Sequence, residues 1–188
     1  MDYTIRVAAI DDAEAMLAIY EPYVEETAIT FETVVPSLAD FRNRVKETVT
    51  RYPWILAENA QEGIVGYAYV GPLKRRAAYD WSVETSIYLR RDIRGQGLGR
   101  RLYQELERIL QAMGIRNLNA CIACTDRTDD PFLSNESIRF HEKLGYTLVG
   151  TFHNCGFKLG RWYDMLWMEK AIGAHDGAPT PVIPFSQL

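Results

Sequence analysis

No apolar run in this chain approaches the roughly 20 residues that cross a bilayer as a helix, so no membrane association is expected. The first residues, MDYTIRVAAIDDAE, lack a basic stretch followed by a long apolar one, which argues against a signal peptide and makes the cytoplasm the default location. Cysteine is scarce: three residues are too few, and odd in number, for a disulfide scaffold. Cys121 and Cys124 form a C-x-x-C, but no second pair and no paired histidines complete a zinc site, so no metal is expected. Their run is strand-like, where a spacing of three sends the side chains to opposite faces, and they read as buried free thiols. Positive charge is not in excess either. A net charge of −4 argues against general nucleic-acid binding.

What remains is an ordinary globular composition, 47% hydrophobic and 24% charged over 188 residues, enough for one domain with a sizeable core. Tyr3 to Ala8 reads as a strand, and Asp11-x-x-Glu14 as a capping box before a helix to about Glu26. Ser37 and Asp40 open a second helix to about Thr50. Pro53 to Ala57 and Gly63 to Leu73 read as a strand pair, and Trp81 to Leu89 as the next strand. A helix from Leu98 to Met113 stops at Gly114, and Ile115 to Cys124 returns to strand. After a polar loop, Thr125 to Leu133, Ser134 is placed to cap a helix over Asn135 to Leu144. Tyr146 to Cys155 and Tyr163 to Met168 close the chain as a hairpin bent at Gly156 and Gly160. The order β-α-α-β-β-β-α-β-α-β-β predicts an α/β protein with a mixed sheet and helices on both faces. Residues 1–172 form the domain, and 173–188, with three prolines, a surface arm.

The junction of the fourth strand with its helix carries the chemistry. Arg90 to Leu102 reads RRDIRGQGLGRRL. Gly95, Gly97 and Gly99 leave backbone N–H groups unshielded, five arginines (90, 91, 94, 100 and 101) surround them, and a helix start attracts anions. A pyrophosphate fits such a place. No Lys-Ser or Lys-Thr follows, which excludes a Walker loop, and Arg100 stands where a dinucleotide fingerprint needs a small residue. A glycine-rich turn ringed by solvated arginines is the competing reading. The pattern present is R-x-x-G-x-G, Arg94 to Gly99. It resembles the acyl-CoA loop of the GCN5-related N-acetyltransferases (GNAT), whose element order this chain also follows over roughly residues 3 to 170. Three further segments resemble the phosphinothricin and methionine sulfoximine/sulfone acetyltransferases within that family: Tyr79 to Tyr88 (YDWSVETSIY), Ser137 to Tyr146 (SIRFHEKLGY) and Gly160 to Met165 (GRWYDM).

The resemblance implies the acyl-CoA N-acyltransferase fold, acetyl-CoA as acyl donor, a small amino-acid-like amine as acceptor, and homodimerisation. It places a base at Glu84, which shares a strand face with Ser82, Ser86 and Tyr88, and an acid for the departing thiolate at His141. A salt-bridged glutamate and a core histidine are the competing readings of those two. It assigns acetyl-CoA to Ile87, Tyr88, Leu89, Arg94, Gly95, Gln96, Gly97, Leu98, Gly99, Arg100, Asn135 and Ser137, with an oxyanion donor in the backbone near Tyr88 and Leu89. Lys74 and Arg75, in the loop before the Glu84 strand, suit an acceptor carboxylate or phosphinate. Phe31, Tyr79, Trp162 and Tyr163 are expected to wall the acceptor pocket. A peptide or protein acetyltransferase and a non-catalytic acyl-CoA sensor remain alternatives. The first needs an open groove, and the second needs neither acid nor base.

Overall fold

The computed structural model describes residues 2–93 and 95–188. Strand β1 (Thr4–Val7) is followed by helices α1 (Ala13–Glu26) and α2 (Leu38–Val49), then strands β2 (Trp54–Asn59), β3 (Gly63–Pro72) and β4 (Ser82–Leu89). Helix α3 (Leu98–Met113), β5 (Asn117–Cys124), α4 (Glu136–Lys143), β6 (Thr147–Lys158) and β7 (Arg161–Ala171) complete the predicted order. The seven strands make one sheet in the order β1-β2-β3-β4-β5-β7-β6. Its pairs are antiparallel except β4 with β5, for which α3 supplies the crossover that parallel neighbours require.

Each sheet face is covered by a pair of helices. The apolar stripe of α3, Leu98, Leu102, Leu106, Ile109, Leu110 and Met113, packs on Val65, Ala68, Val70, Val83, Leu118 and Ala120. Gly114 ends that helix at φ +88°, where a side chain would be strained. On the opposite face, Met16, Ile19 and Tyr20 of α1 and Phe41 and Val45 of α2 bury Trp54, Leu56 and Tyr67.

Several local expectations shift. Ser37 caps α2 as expected, accepting the Asp40 N–H at 3.1 Å. At α1 the work falls to Asp12 rather than Asp11. The chain makes a single 3-10 turn at Ile10–Asp12, and Asp12 accepts the Ala9 N–H at 2.7 Å and pairs with Arg6. At α4 the flanking residue is Asn135, not Ser134, and its side chain makes no cap. Strand β6 does not end at Cys155 but runs to Lys158 through a bulge between Phe152 and Gly156. Asp164 holds the bulge by accepting from Asn154 N–H and His153 Nδ1. The proline-rich arm is docked: Trp81 Nε1 donates to Thr180 O, Ile183 N–H to Met113 O, and Val182 and Phe185 pack on the larger core.

The polar loop after β5 is pinned by one carboxylate. The Asp130 side chain is fully buried, and it accepts from Phe132 N–H (2.9 Å), Arg161 (3.1 Å) and Tyr163 OH (3.2 Å). Burial works to raise its pKa, but these donors outweigh burial and hold it below the usual carboxylate value. Asp130→Ala leaves these donors unpaired and is expected to cost about 1–3 kcal/mol. A depressed folded pKa gives a contribution that is full above the unfolded value, about pH 4, and lost as the pH falls below it. Urea unfolding of wild type and variant should therefore differ at pH 7 and converge in acid. Equal stability at pH 7 would refute the assignment.

Candidate active site

Strands β4 and β5 pair over only three rungs, Ser82–Asn117, Val83–Leu118 and Glu84–Asn119. Beyond them β4 stays bonded to β3 and β5 to β7, so the two part into a cleft. Side chains stitch the vertex. Asn117 Nδ2 donates to Ser82 Oγ (3.2 Å), Asn119 Nδ2 to Val83 O (3.1 Å), and Thr85 Oγ1 to Asn119 O (3.1 Å). The Leu73 N–H donates to Ser82 O and the Arg90 N–H to Val65 O, which turns the even-numbered peptide groups of β4 toward β3. Strand alternation then aims the N–H groups of Ile87 and Leu89 into the cleft. The Leu89 carbonyl is taken by Tyr23 OH at 2.6 Å. Tyr88 adds no cleft donor of its own, since its peptide group faces β3 and its ring packs among Tyr20, Tyr23 and Tyr67.

The glycine loop lies at the mouth. Gly95 (φ +72°), Gln96 and Gly97 (φ +71°) are exposed and lead into buried Leu98 and the start of α3. A Cβ at Gly95 or Gly97 would meet nothing, so glycine there answers to backbone conformation. Gly99 answers to space, with the Phe140 ring 3.2 Å from where its Cβ would lie. Arg94 lies outside the described residues. The expected arginine ring is reduced. Arg90 pairs with Glu62 and Asp92, Arg91 pairs with Glu26, and Arg101 donates to Tyr3 O. Arg100 is exposed on the groove between α3 and α4.

Glu84 sits at the vertex, half-buried. Burial raises its pKa, and the Lys74 charge partly offsets that. Cys121, across the cleft, is pushed up to about 12 by burial first and by Glu84 second. Cys124 is buried in the main core, so the C-x-x-C does divide between environments.

His141 is 3% exposed on α4 and borders the cleft with Ser137. Its Nδ1 lies 2.7 Å from Ser137 O and its Nε2 3.0 Å from Tyr103 OH, and burial lowers its pKa. Asn135 bonds the loop after β5: its amide donates to Thr125 O (2.9 Å) and accepts from Thr125 N–H (3.3 Å). Ser134 lines the cleft in its place.

Of the residues expected to meet the acceptor, Lys74, Arg75 and Tyr79 are exposed in the loop between β3 and β4, with Lys74 Nζ 5.9 Å from the Trp167 ring centre. Phe31 lies against Gly156, whose Cβ would clash with its ring at 2.3 Å. Tyr163 is buried beside Ala28, Ala123 and Leu133. Trp162 does not join it. Neighbours on a strand face opposite ways, and Trp162 is exposed against Phe157. Thr85, Tyr103, Cys121 and Ser134 border the cleft, a place the sequence reading gave to none of them. Tyr103 carried a usable signal: a tyrosine on the buried stripe of α3 needs a partner for its hydroxyl.

A sheet opened between its fourth and fifth strands, with a glycine loop and a helix start at the mouth, defines an acyl-CoA-dependent acyltransferase fold. The sequence model of the acetyltransferase (GNAT) domain matches residues 5–167. The chain is 35% identical to a phosphinothricin N-acetyltransferase of Streptomyces viridochromogenes, over 98% of this chain and 95% of that one. It is 34% identical to an L-methionine sulfoximine/L-methionine sulfone acetyltransferase of Pseudomonas aeruginosa, over 95% and 100%. A phosphinothricin acetyltransferase of the GNAT superfamily from Sinorhizobium meliloti, solved with acetyl-CoA, superposes with a TM-score of 0.87 at 33% identity, covering 100% of this chain and 98% of that one. The chain belongs to the GNAT family and is an acetyl-CoA-dependent N-acetyltransferase. Among the described residues no helix is long and apolar enough to cross a membrane.

Glu84→Gln separates the two consequences of burying a carboxylate. A folded pKa above the unfolded one means that the charged form costs stability at neutral pH, a cost that fades as the pH falls through the folded value. The variant is expected to melt at or above the wild-type temperature at pH 7, to bind acetyl-CoA unchanged, and to lose about 10²–10⁴-fold in kcat. Unchanged kcat would remove Glu84 as the base.

Proposed function

We propose that the enzyme transfers the acetyl group of acetyl-CoA to the α-amino group of a small amino-acid-like substrate of the phosphinothricin or methionine sulfoximine/sulfone type. The observation that carries this reading is the desolvated Glu84 at the cleft vertex, with the acceptor side roofed by two loops that bond to each other. The Ala28 N–H donates to Phe132 O at 3.0 Å across the two loops, and Lys158 Nζ, at the end of β6, fastens the first of them by donating to Thr30 O at 2.7 Å. Such a roof suits a small molecule better than a peptide. Acetyl-CoA fits as a substrate in the cleft: the loop amides from Gly95 to Gly99, with Arg100, would face its diphosphate, and Ser134 and Ser137 its pantetheine arm. The acyl group arrives activated as a thioester.

The chain's own residues then do three things. Glu84 removes a proton from the incoming ammonium, directly or through water. The N–H groups of Ile87 and Leu89 face the place where negative charge gathers on the carbonyl oxygen. Lys74 and Arg75 offer cations to the acceptor's acidic groups. Holding both reactants in register lowers the barrier by up to about 7–11 kcal/mol. Three unpaired thiols and the cofactor suit the cytoplasm.

The assay is thiol release from acetyl-CoA against amino acids, their sulfone, sulfoximine and phosphinate analogues, and short peptides. Turnover is expected with the analogues and not with peptides. Peptide-only turnover would favour the protein-acetylating alternative, and tight acetyl-CoA binding without release would favour a sensor.

The same reading includes a homodimer. The edge strand β6 and its partner expose Leu148, Val149, Phe152, Phe157 and Trp162, a row of apolar side chains that a second copy would cover. Light scattering is expected to give twice the chain mass for wild type and the single mass for Phe152→Glu. A monomeric wild type would reject the dimer.

A further inference from the structure

We infer that Tyr103 is a catalytic residue of this transfer: its hydroxyl, held between His141 Nε2 and Thr85 Oγ1 in the cleft wall, passes protons between the reacting atoms and His141. The inference rests on the reading that the cleft holds the thioester.

Hydrogen-bond accounting leads to it. His141 Nδ1 lies 2.7 Å from the Ser137 carbonyl oxygen. A carbonyl only accepts, so Nδ1 carries a hydrogen whether the ring is neutral or charged. In the neutral ring the lone pair is on Nε2, and Tyr103 OH, 3.0 Å away, is its donor. His141 therefore meets a proton at Nε2 through the Tyr103 hydroxyl. That hydroxyl has a second possible acceptor, Thr85 Oγ1, at 3.2 Å. Thr85 can accept because its own hydrogen goes to Asn119 O. Tyr146 OH, 3.3 Å from Thr85 Oγ1, closes the cluster. Two complete patterns follow. With His141 neutral, Tyr103 donates to Nε2. With His141 protonated, Nε2–H donates to the Tyr103 oxygen, and Tyr103 donates to Thr85. A proton can enter or leave without stranding a buried polar atom. The rings of Tyr103, Phe140 and Tyr146 stand edge-on to the imidazole, and desolvation favours both neutral His141 and neutral Tyr103 at rest.

The chemistry balances within the site. The neutral amine forms its bond to the thioester carbon, and the carbonyl π pair moves to oxygen. The nitrogen now holds one proton too many. That proton passes to the Tyr103 oxygen as the Tyr103 hydrogen passes to Nε2. When the carbonyl re-forms, the C–S bond breaks with its electron pair on sulfur. The proton then returns by the reverse path to sulfur, giving amide and thiol with His141 neutral again. Glu84 acts earlier, on the proton that made the amine an ammonium. Two proton transfers thus have two separate groups.

Tyr103→Phe keeps the ring and deletes the hydroxyl. Its kcat is expected to fall by about 10² or more with the KM for acetyl-CoA unchanged. His141→Phe should fall similarly, and the double variant no further than the worse single, since the two act as one unit. Losses that multiply, or a Tyr103→Phe variant with wild-type kcat, would overturn the inference. If Tyr103→Phe does not fold, Thr85→Val decides in its place: lowered kcat is expected, and wild-type kcat overturns. A readout independent of turnover is ¹⁵N NMR of His141 in the protein alone. Nδ1 should be protonated and Nε2 a hydrogen-bonded acceptor, with only Nε2 shifting in Tyr103→Phe. A neutral ring protonated at Nε2 overturns the relay whatever the activity. A wild type that neither binds nor turns over acetyl-CoA, but shows the expected resonances, would reject the functional reading and leave the hydrogen-bond arrangement standing.

Discussion

The early parting of β4 from β5 is the constraint from which the site follows. Parallel pairing lasts three rungs and then stops, although both strands continue for five more residues. Backbone donors released in this way would normally be a defect. Here the released N–H groups of Ile87 and Leu89 face the cleft, where the proposed oxyanion would meet them. The parting is held rather than merely permitted. Asn117, Asn119 and Thr85 replace further ladder bonds with side-chain bonds at the vertex, and α3 wedges Tyr103 against the opened side.

Periodicity and glycine placement made the element order and the glycine turn into α3 legible. The apolar stripe of α3 and the αL glycine at its end are strong local signals, and Gly95 and Gly97 occupy the φ that only glycine takes cheaply. What escaped the sequence depends on partners distant in the chain. Asn135 sits beside the right helix, yet its amide closes a ring with Thr125. Nothing local distinguishes that from a residue reaching into the cleft. The arginines around the loop are similar: their charge is visible in sequence, but Glu26, Glu62 and the Tyr3 carbonyl claim three of them from separate elements. Trp162 and Tyr163 show a different limit. Strand alternation already requires adjacent residues to part, so placing both in one wall misapplied a rule the sequence supplied.

The site spends stability in one place and recovers it in another. Glu84 is a carboxylate held where water is reduced, with Lys74 close enough to soften the cost without neutralising it. The cluster of Thr85, Tyr103, His141 and Tyr146 is its opposite: deeply buried, neutral and fully bonded, so that it fixes α3, α4 and β4 relative to one another. A half-satisfied version would be worse than an apolar core, which is why the orientation of the Ser137 carbonyl matters as much as any side chain.

In the proposed function the two substrates meet different kinds of structure. The acyl donor would lie against sheet edges and a helix start, whose positions are set by the larger core. The acceptor would lie under loops, which touch through Ala28 and Phe132 and are fastened by Lys158 and Asp130. Loops tolerate substitution without moving the sheet. A change in the acceptor roof can therefore alter which amine enters while the thioester, the oxyanion donors and Glu84 keep their register. This division would explain how a common chemistry is joined, among the relatives, to acceptors as different as a phosphinate and a sulfone: the reacting geometry would reside in the sheet vertex, and selectivity in two loops that meet over it.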